Sequence, residues 1–88
     1  MDYLLFTYPN CLKCEALKKK LAEAGTAYTE YGLTQTQGKT KIREFINVIK
    51  RDETGAIKLP TLIAHTQGIV RAVINTAEEF EAWSRSKA

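Results

Sequence analysis

Cys11-Leu12-Lys13-Cys14 sets two thiols three residues apart, where an apolar run over residues 3–8 gives way to a helical pattern. A Cys-x-x-Cys at a helix start holds its first sulfur among backbone N–H groups that lack intrahelical partners. Those donors, and the positive end of the helix, favour thiolate over thiol. The thiolate is the form that attacks disulfides, and the second sulfur lies about one turn on, in reach to close a ring with the first. Lys13 places an ammonium beside both cysteines, which adds to the thiolate preference although solvent screens part of it. The same residue types also suit half of a metal site, because one such pair supplies two of the four ligands of zinc or an iron–sulfur cluster. The single histidine, His65, falls near a strand end and reads as a structural or surface residue.

Composition narrows the setting for that chemistry. Eighty-eight residues make one domain, 1–88, and 44% apolar with 26% charged residues is a globular composition rather than a disordered one. A disulfide closing so short a loop restrains the unfolded chain little, so the pair is a poor staple and more apt for catalysis or metal binding. No basic segment precedes an apolar one after Met1-Asp2-Tyr3, so no secretory signal is visible and a cytoplasmic location is expected. Apolar runs fall far short of the roughly 18 residues that span a bilayer, so no membrane partner is expected. The net charge of +3 is modest, the basic residues are spread out apart from Lys18-Lys19-Lys20 and Lys50-Arg51, and the lysine triplet reads as a solvated helix face or a docking surface for acidic partners. Without a stronger basic excess and interleaved aromatics, nucleic acid is not an expected partner.

The elements that position the cysteines follow from periodicity. Residues 2–8 read as a strand ending at the Pro9-Asn10 turn signal. A helix over residues 12–24 carries Leu17 and Leu21 on one stripe and stops at Gly25. Residues 27–33 read as a second strand and residues 34–39 as a polar turn. Ile42, Phe45, Ile46 and Ile49 match the helical template and predict a second helix capped near Thr40. Residues 57–64 and 68–74 read as an antiparallel hairpin, and Asn75-Thr76 caps a last helix bearing Phe80 and Trp83. The order β-α-β-α-β-β-α predicts an α/β fold with a four-stranded mixed sheet and helices on both faces. The expected core is Leu4, Phe6, Leu17, Leu21, Ile42, Phe45, Ile46, Ile49, Leu62, Phe80 and Trp83.

Residues 6–14, Phe-Thr-Tyr-Pro-Asn-Cys-Leu-Lys-Cys, followed by Leu17 and Leu21, resemble the active-site segment of the glutaredoxin branch of the thioredoxin superfamily. Residues 58–63, Lys-Leu-Pro-Thr-Leu-Ile, resemble that family's cis-proline segment. The resemblance implies a thioredoxin fold and a thiol–disulfide oxidoreductase in which Cys11 is the nucleophile and Cys14 resolves the mixed disulfide. It implies a cis bond at Pro60, with the Leu59 backbone turned toward substrate. Tyr8, Leu59, Pro60, Asn75 and Thr76 are the substrate-binding candidates, and Lys13 the activating or anion-contacting one. Protein disulfides are the implied partners, with glutathione or a thioredoxin-reductase-type enzyme as reductant, no tightly bound cofactor, and a monomer.

The chain departs from the family pattern at defined places. Leu12-Lys13 replaces Pro-Tyr, Tyr8 stands where a lysine is usual, Lys58-Leu59-Pro60 replaces Thr-Val-Pro, and the Gly-Gly-Asp turn is absent. Carboxylates of glutathione would then fall to Lys13, Lys58 and the cap at Asn75-Thr76. Two alternatives stay open: an iron–sulfur or metal site shared by a dimer, and a non-catalytic binding module of the same fold.

Overall fold

Three consecutive apolar residues, Leu4, Leu5 and Phe6, need cover on both sides, because successive side chains of a strand point to opposite faces. The computed structural model, which describes residues 1–86, provides that cover. The single domain expected over 1–88 includes two last residues, 87 and 88, that lie outside the described ones. The strands are β1 (Asp2–Thr7), β2 (Thr29–Gly32), β3 (Thr61–Thr66) and β4 (Ile69–Ile74), side by side in the order β2-β1-β3-β4. β1 runs parallel to β2 and antiparallel to β3, and β4 is antiparallel to β3. The helices are α1 (Leu12–Glu23), α2 (Thr36–Ile42) and α3 (Ala77–Ser86). Leu5 and Leu62 pack with Leu17 and Leu21 of α1 and Phe80 of α3. Leu4, Phe6 and Ile63 pack on the opposite side with Ile42 of α2 and with Ile49. The mixed four-stranded sheet with helices on both faces is the expected architecture, of the thioredoxin-like type.

Several boundaries differ from the sequence reading. β3 begins at Thr61, directly after Pro60, while Ile57 makes only an isolated bridge with Arg51. β3 runs on to Thr66, so the hairpin closes through two residues, Gln67 and Gly68, with φ of 52° and 80°. Positive φ at both central residues is what the tightest hairpin loop requires, since its twist then matches that of the strands.

The second helix is displaced. Residues 34–39 were expected as a turn, yet α2 starts at Thr36 and ends at Ile42, followed by a 3-10 helix over Arg43–Phe45. Gly38 explains the shift: it is buried, and a Cβ there would overlap the Gly32 carbonyl group. Only glycine lets this helix settle so close to the end of β2. The tighter 3-10 winding then carries Ile46 out of line, and it is 42% exposed rather than part of the core. Phe45 and Trp83 are partly buried, and the remaining expected core residues are buried, joined by Leu5, Ile63 and Ile74. Among the described residues no helix is long and apolar enough to cross a membrane.

Candidate active site

The sheet register brings three separate segments to one end of the molecule. Phe6 pairs with Thr61, and Leu62 pairs with Ile74. The exit of β1, the entry of β3 and the exit of β4 therefore adjoin, and they carry Cys11, Pro60 and Asn75 respectively.

Local backbone sets the cysteines. Asn10 has φ 58°, in the left-handed region that asparagine tolerates better than most residues, and it turns the chain from β1 toward α1. Cys11 follows in extended conformation as the N-cap: its carbonyl accepts the Glu15 N–H at 3.1 Å, and its Sγ accepts the Cys14 N–H at 3.1 Å. A side chain that accepts from the third helical residue is the ordinary capping arrangement, here made with sulfur in place of oxygen. The N–H groups of Leu12 and Lys13 have no partner among the described residues. Cys11 and Cys14 are joined as a disulfide, with Cα atoms 5.2 Å apart. Cys14 is 1% exposed, whereas Cys11 is only half-buried, so the first sulfur is the accessible one.

Beside the disulfide lies a groove of about 350 Å³, into which Lys13, Lys58, Leu59, Asn75 and Thr76 all project surface. Lys50 also lines it and approaches Glu79 at 3.9 Å. Lys13 and Lys58 form no ion pair among the described residues, although Asp52 and Glu79 also line the groove. Tyr8 does not join them. It is exposed and lines a second hollow with Pro9, Asn10 and Glu30. Beneath that hollow, Glu30 accepts the Thr7 hydroxyl at 2.8 Å and the Lys18 ammonium at 3.2 Å, and Lys18 also meets Glu15 at 3.2 Å. The hydrogen bonds to Glu30 and then Glu15 hold Lys18 above the ordinary lysine range. This cluster ties the last residue of β1 to α1 and β2.

The peptide bond between Leu59 and Pro60 is cis. Pro60 is buried, so its ring lies under the surface and not in the groove. The loop over residues 58–61 is held at several points: the Lys58 N–H donates to Lys50 O at 3.0 Å, and the Thr61 hydroxyl donates to Lys58 O at 2.6 Å. Asn75, 6% exposed, directs its Nδ2 to Lys58 O at 3.3 Å, Pro60 O at 3.0 Å and Thr61 Oγ1 at 3.3 Å. Two carbonyl acceptors require a donor, which fixes the amide's orientation. The backbone N–H of Asn75 donates in turn to Glu79 Oε1 at 2.6 Å, while the Glu79 N–H donates to the Thr76 hydroxyl at 3.0 Å. This is a capping box displaced by one residue, and it welds Asn75 to the start of α3.

The sequence named Cys11, Cys14, Lys13, Leu59, Pro60, Asn75 and Thr76, and the fold gathers all of them at this end. It did not show the Thr7–Glu30–Lys18 cluster or the role of Thr61, which follow from cross-strand neighbours. Nor did it show that Asn75 turns inward; its place at the end of an apolar strand, just before a cap, is the available signal. Among the described residues, no group of three or more His, Cys, Asp or Glu side chains is arranged to hold a metal ion.

Among solved structures, the fold is similar to the solution structure of a glutaredoxin from Brucella melitensis. The TM-score is 0.56 and the identity 15%, with 98% of this chain and 80% of that one covered. No protein-family model and no curated protein matches the sequence. Likeness at that identity speaks for the fold, which is the thioredoxin-like fold as a glutaredoxin carries it, with a Cys-x-x-Cys disulfide opening the first helix.

Proposed function

We propose that the protein is a thiol–disulfide oxidoreductase that reduces protein or low-molecular-weight disulfides. The observation that carries this reading is the Cys11 Sγ at the N-cap, accepting the Cys14 N–H at 3.1 Å, with Cys14 sealed beneath it at 1% exposure. After reduction, the same N–H groups face the Cys11 sulfur and favour its ionised form. The Cys11 thiolate attacks one sulfur of a substrate disulfide, forming a mixed disulfide and expelling the other sulfur as a thiolate that takes up a proton. Cys14 then loses its proton and attacks the Cys11 sulfur. The captured thiol leaves, and the Cys11–Cys14 bond forms, so two electrons have passed from this chain to the substrate. An external thiol reductant, glutathione or a thioredoxin-reductase-type enzyme, reverses that bond and resets the cycle.

Lys13 supports ionisation of Cys11 through its charge, and Lys13 with Lys58 offers unpaired ammonium groups to carboxylates near the substrate disulfide. A cytoplasmic monomer suits this cycle, since a reducing compartment keeps the pair in its attacking form.

The test is a pH titration of alkylation rate on the reduced wild type, Cys11→Ser and Cys14→Ser. Cys14→Ser is expected to react at neutral pH, with a midpoint below the roughly 8.5 of free cysteine, and Cys11→Ser to react slowly. An ordinary midpoint for Cys11, or faster reaction at Cys14, rejects the division of labour.

A further inference from the structure

We propose that the Leu12 side chain is a substrate contact that selects disulfides whose cysteine adjoins an apolar residue, as in a peptide or protein, over those with polar surroundings. The inference rests on the oxidoreductase reading above and deepens it by naming the substrate class.

The fold gives Leu12 no use of its own. It is 87% exposed, and no other large apolar side chain among the described residues exceeds 56%. The buried stripe of α1 is Cys14, Leu17 and Leu21. At about 100° per residue, Leu12 stands about 140–180° around the helix from each of them, so it cannot turn toward the sheet. Leucine adds nothing to the helix end either, where polar caps and acidic side chains are the stabilising types.

Its position supplies the use. Leu12 is the first residue of α1, directly after the cap Cys11, so the two Cα atoms lie about 3.8 Å apart. Cα–Cβ bonds in a helix lean toward its N-terminus, and at the first position there is no preceding turn for the side chain to lie on. Leu12 therefore projects past the same end of α1 where the accessible Cys11 Sγ sits, with Cys14 sealed beneath it. A disulfide attacked by Cys11 brings the residues beside its own cysteine within reach of Leu12. Lys13, about 100° further around the helix, lines the groove, and Leu12 does not. The incoming chain thus meets a polar groove on one flank and a single apolar side chain on the other. Because Leu12 stands on a capped helix, its backbone has little freedom left to lose, and more of the burial appears as affinity.

A preference ratio within each protein reads this contact, because any change in the reactivity of the Cys11 sulfur cancels. Wild type, Leu12→Ala and Leu12→Met are compared by kcat/KM on two symmetric peptide disulfides, identical except for leucine or serine on both sides of each cysteine. Each value is divided by the rate of the same peptide with dithiothreitol, which removes the peptide's own reactivity. Wild type is expected to favour the leucine peptide about five- to tenfold, the worth of a partly buried leucine contact. Leu12→Ala brings the ratio to within about twofold of unity, and Leu12→Met, of similar volume and polarity, keeps it. Neither variant removes core packing, since the side chain is exposed. A wild-type ratio near unity, or a wild-type ratio that persists in Leu12→Ala, overturns the inference and leaves the oxidoreductase reading intact. A wild type inactive on both peptides overturns that reading, and this inference with it.

Discussion

Replacing Gly38 with alanine sets two effects of opposite sign against each other, and the structure decides between them. Helix propensity alone favours the change, because glycine inside a helix is about 0.8–1.0 kcal/mol worse than alanine. Against this, the added Cβ would lie 2.8 Å from the Gly32 carbonyl carbon and 3.4 Å from the Leu33 nitrogen, and would overlap the Gly32 oxygen. These are backbone atoms, and they are pinned: Gly32 O accepts from Gln35 N at 3.1 Å, and Leu33 N donates to Thr7 O at 2.9 Å. Neither can swing aside as a flexible side chain would. The helix must move instead, which draws Ile42 off Leu4, Phe6 and Ile63. Overpacking of this kind costs about 1–3 kcal/mol, and a rigid backbone neighbour places it at the upper end, so the net loss is about 1–2 kcal/mol after the propensity gain. For a domain of this size that lowers Tm by roughly 5–15 °C. Thermal unfolding of the reduced protein by circular dichroism reads it directly, with Gln37→Ala, at an exposed neighbouring position, as the control for an alanine in the same helix without the overlap. A Gly38→Ala protein as stable as wild type, or more so, would show that α2 does not rest on Gly32 as described.

Two further outcomes follow from named hydrogen bonds. Reduced Cys11→Ser is expected to unfold in urea at or above the wild-type midpoint and Cys11→Ala to lose about 1 kcal/mol, because serine restores the cap on the Cys14 N–H and alanine deletes it; equal stability of the two variants would deny the cap. The Asp52 carboxylate accepts the Thr54 hydroxyl at 2.7 Å and the Thr54 and Ala56 N–H groups at 2.9 and 3.0 Å, and these bonds hold it below the ordinary 3.8 of an aspartate. A depressed carboxylate contributes stability that is full above the unfolded value and lost as pH falls through the folded one, so the Thr54 and Ala56 amide shifts are expected to titrate together below pH 3.8. Titration at or above that value would contradict the assignment.

The first helix was legible because its signals are local and agree. Pro9-Asn10 marks the turn, Cys11 caps, Leu17 and Leu21 repeat at helical spacing, and Gly25, at φ 66°, ends the pattern. The second was not, because its signals conflict. Ile42, Phe45, Ile46 and Ile49 satisfy a helical template, but a 3-10 helix with three residues per turn keeps Ile42 and Phe45 toward the sheet and releases Ile46. Meanwhile the segment that is α-helical, Thr36–Ile42, is polar through Thr40, and at seven residues it is too short to be stable by propensity. Its reason for existing is a close approach between two glycines, Gly38 and Gly32, across the short β2–α2 connection, a contact that no hydrophobic period marks.

Residue types at the candidate site were legible in the same uneven way. Cysteine, lysine and proline announce their chemistry at a given position, whereas an asparagine before a helix cap reads equally as a ligand contact or a structural bond. What decides between them is which acceptors lie alongside, and that is fixed by pairing across the sheet. With Leu62 opposite Ile74, the residue after β4 must fall beside the loop before β3, and the buried carbonyls there need a donor. The end of β4 is thus committed to the inside of the site. That commitment explains why its side chain reaches the Lys58 and Pro60 carbonyls from beneath, while Lys13, Lys58 and Thr76 are left to meet whatever enters the groove from above.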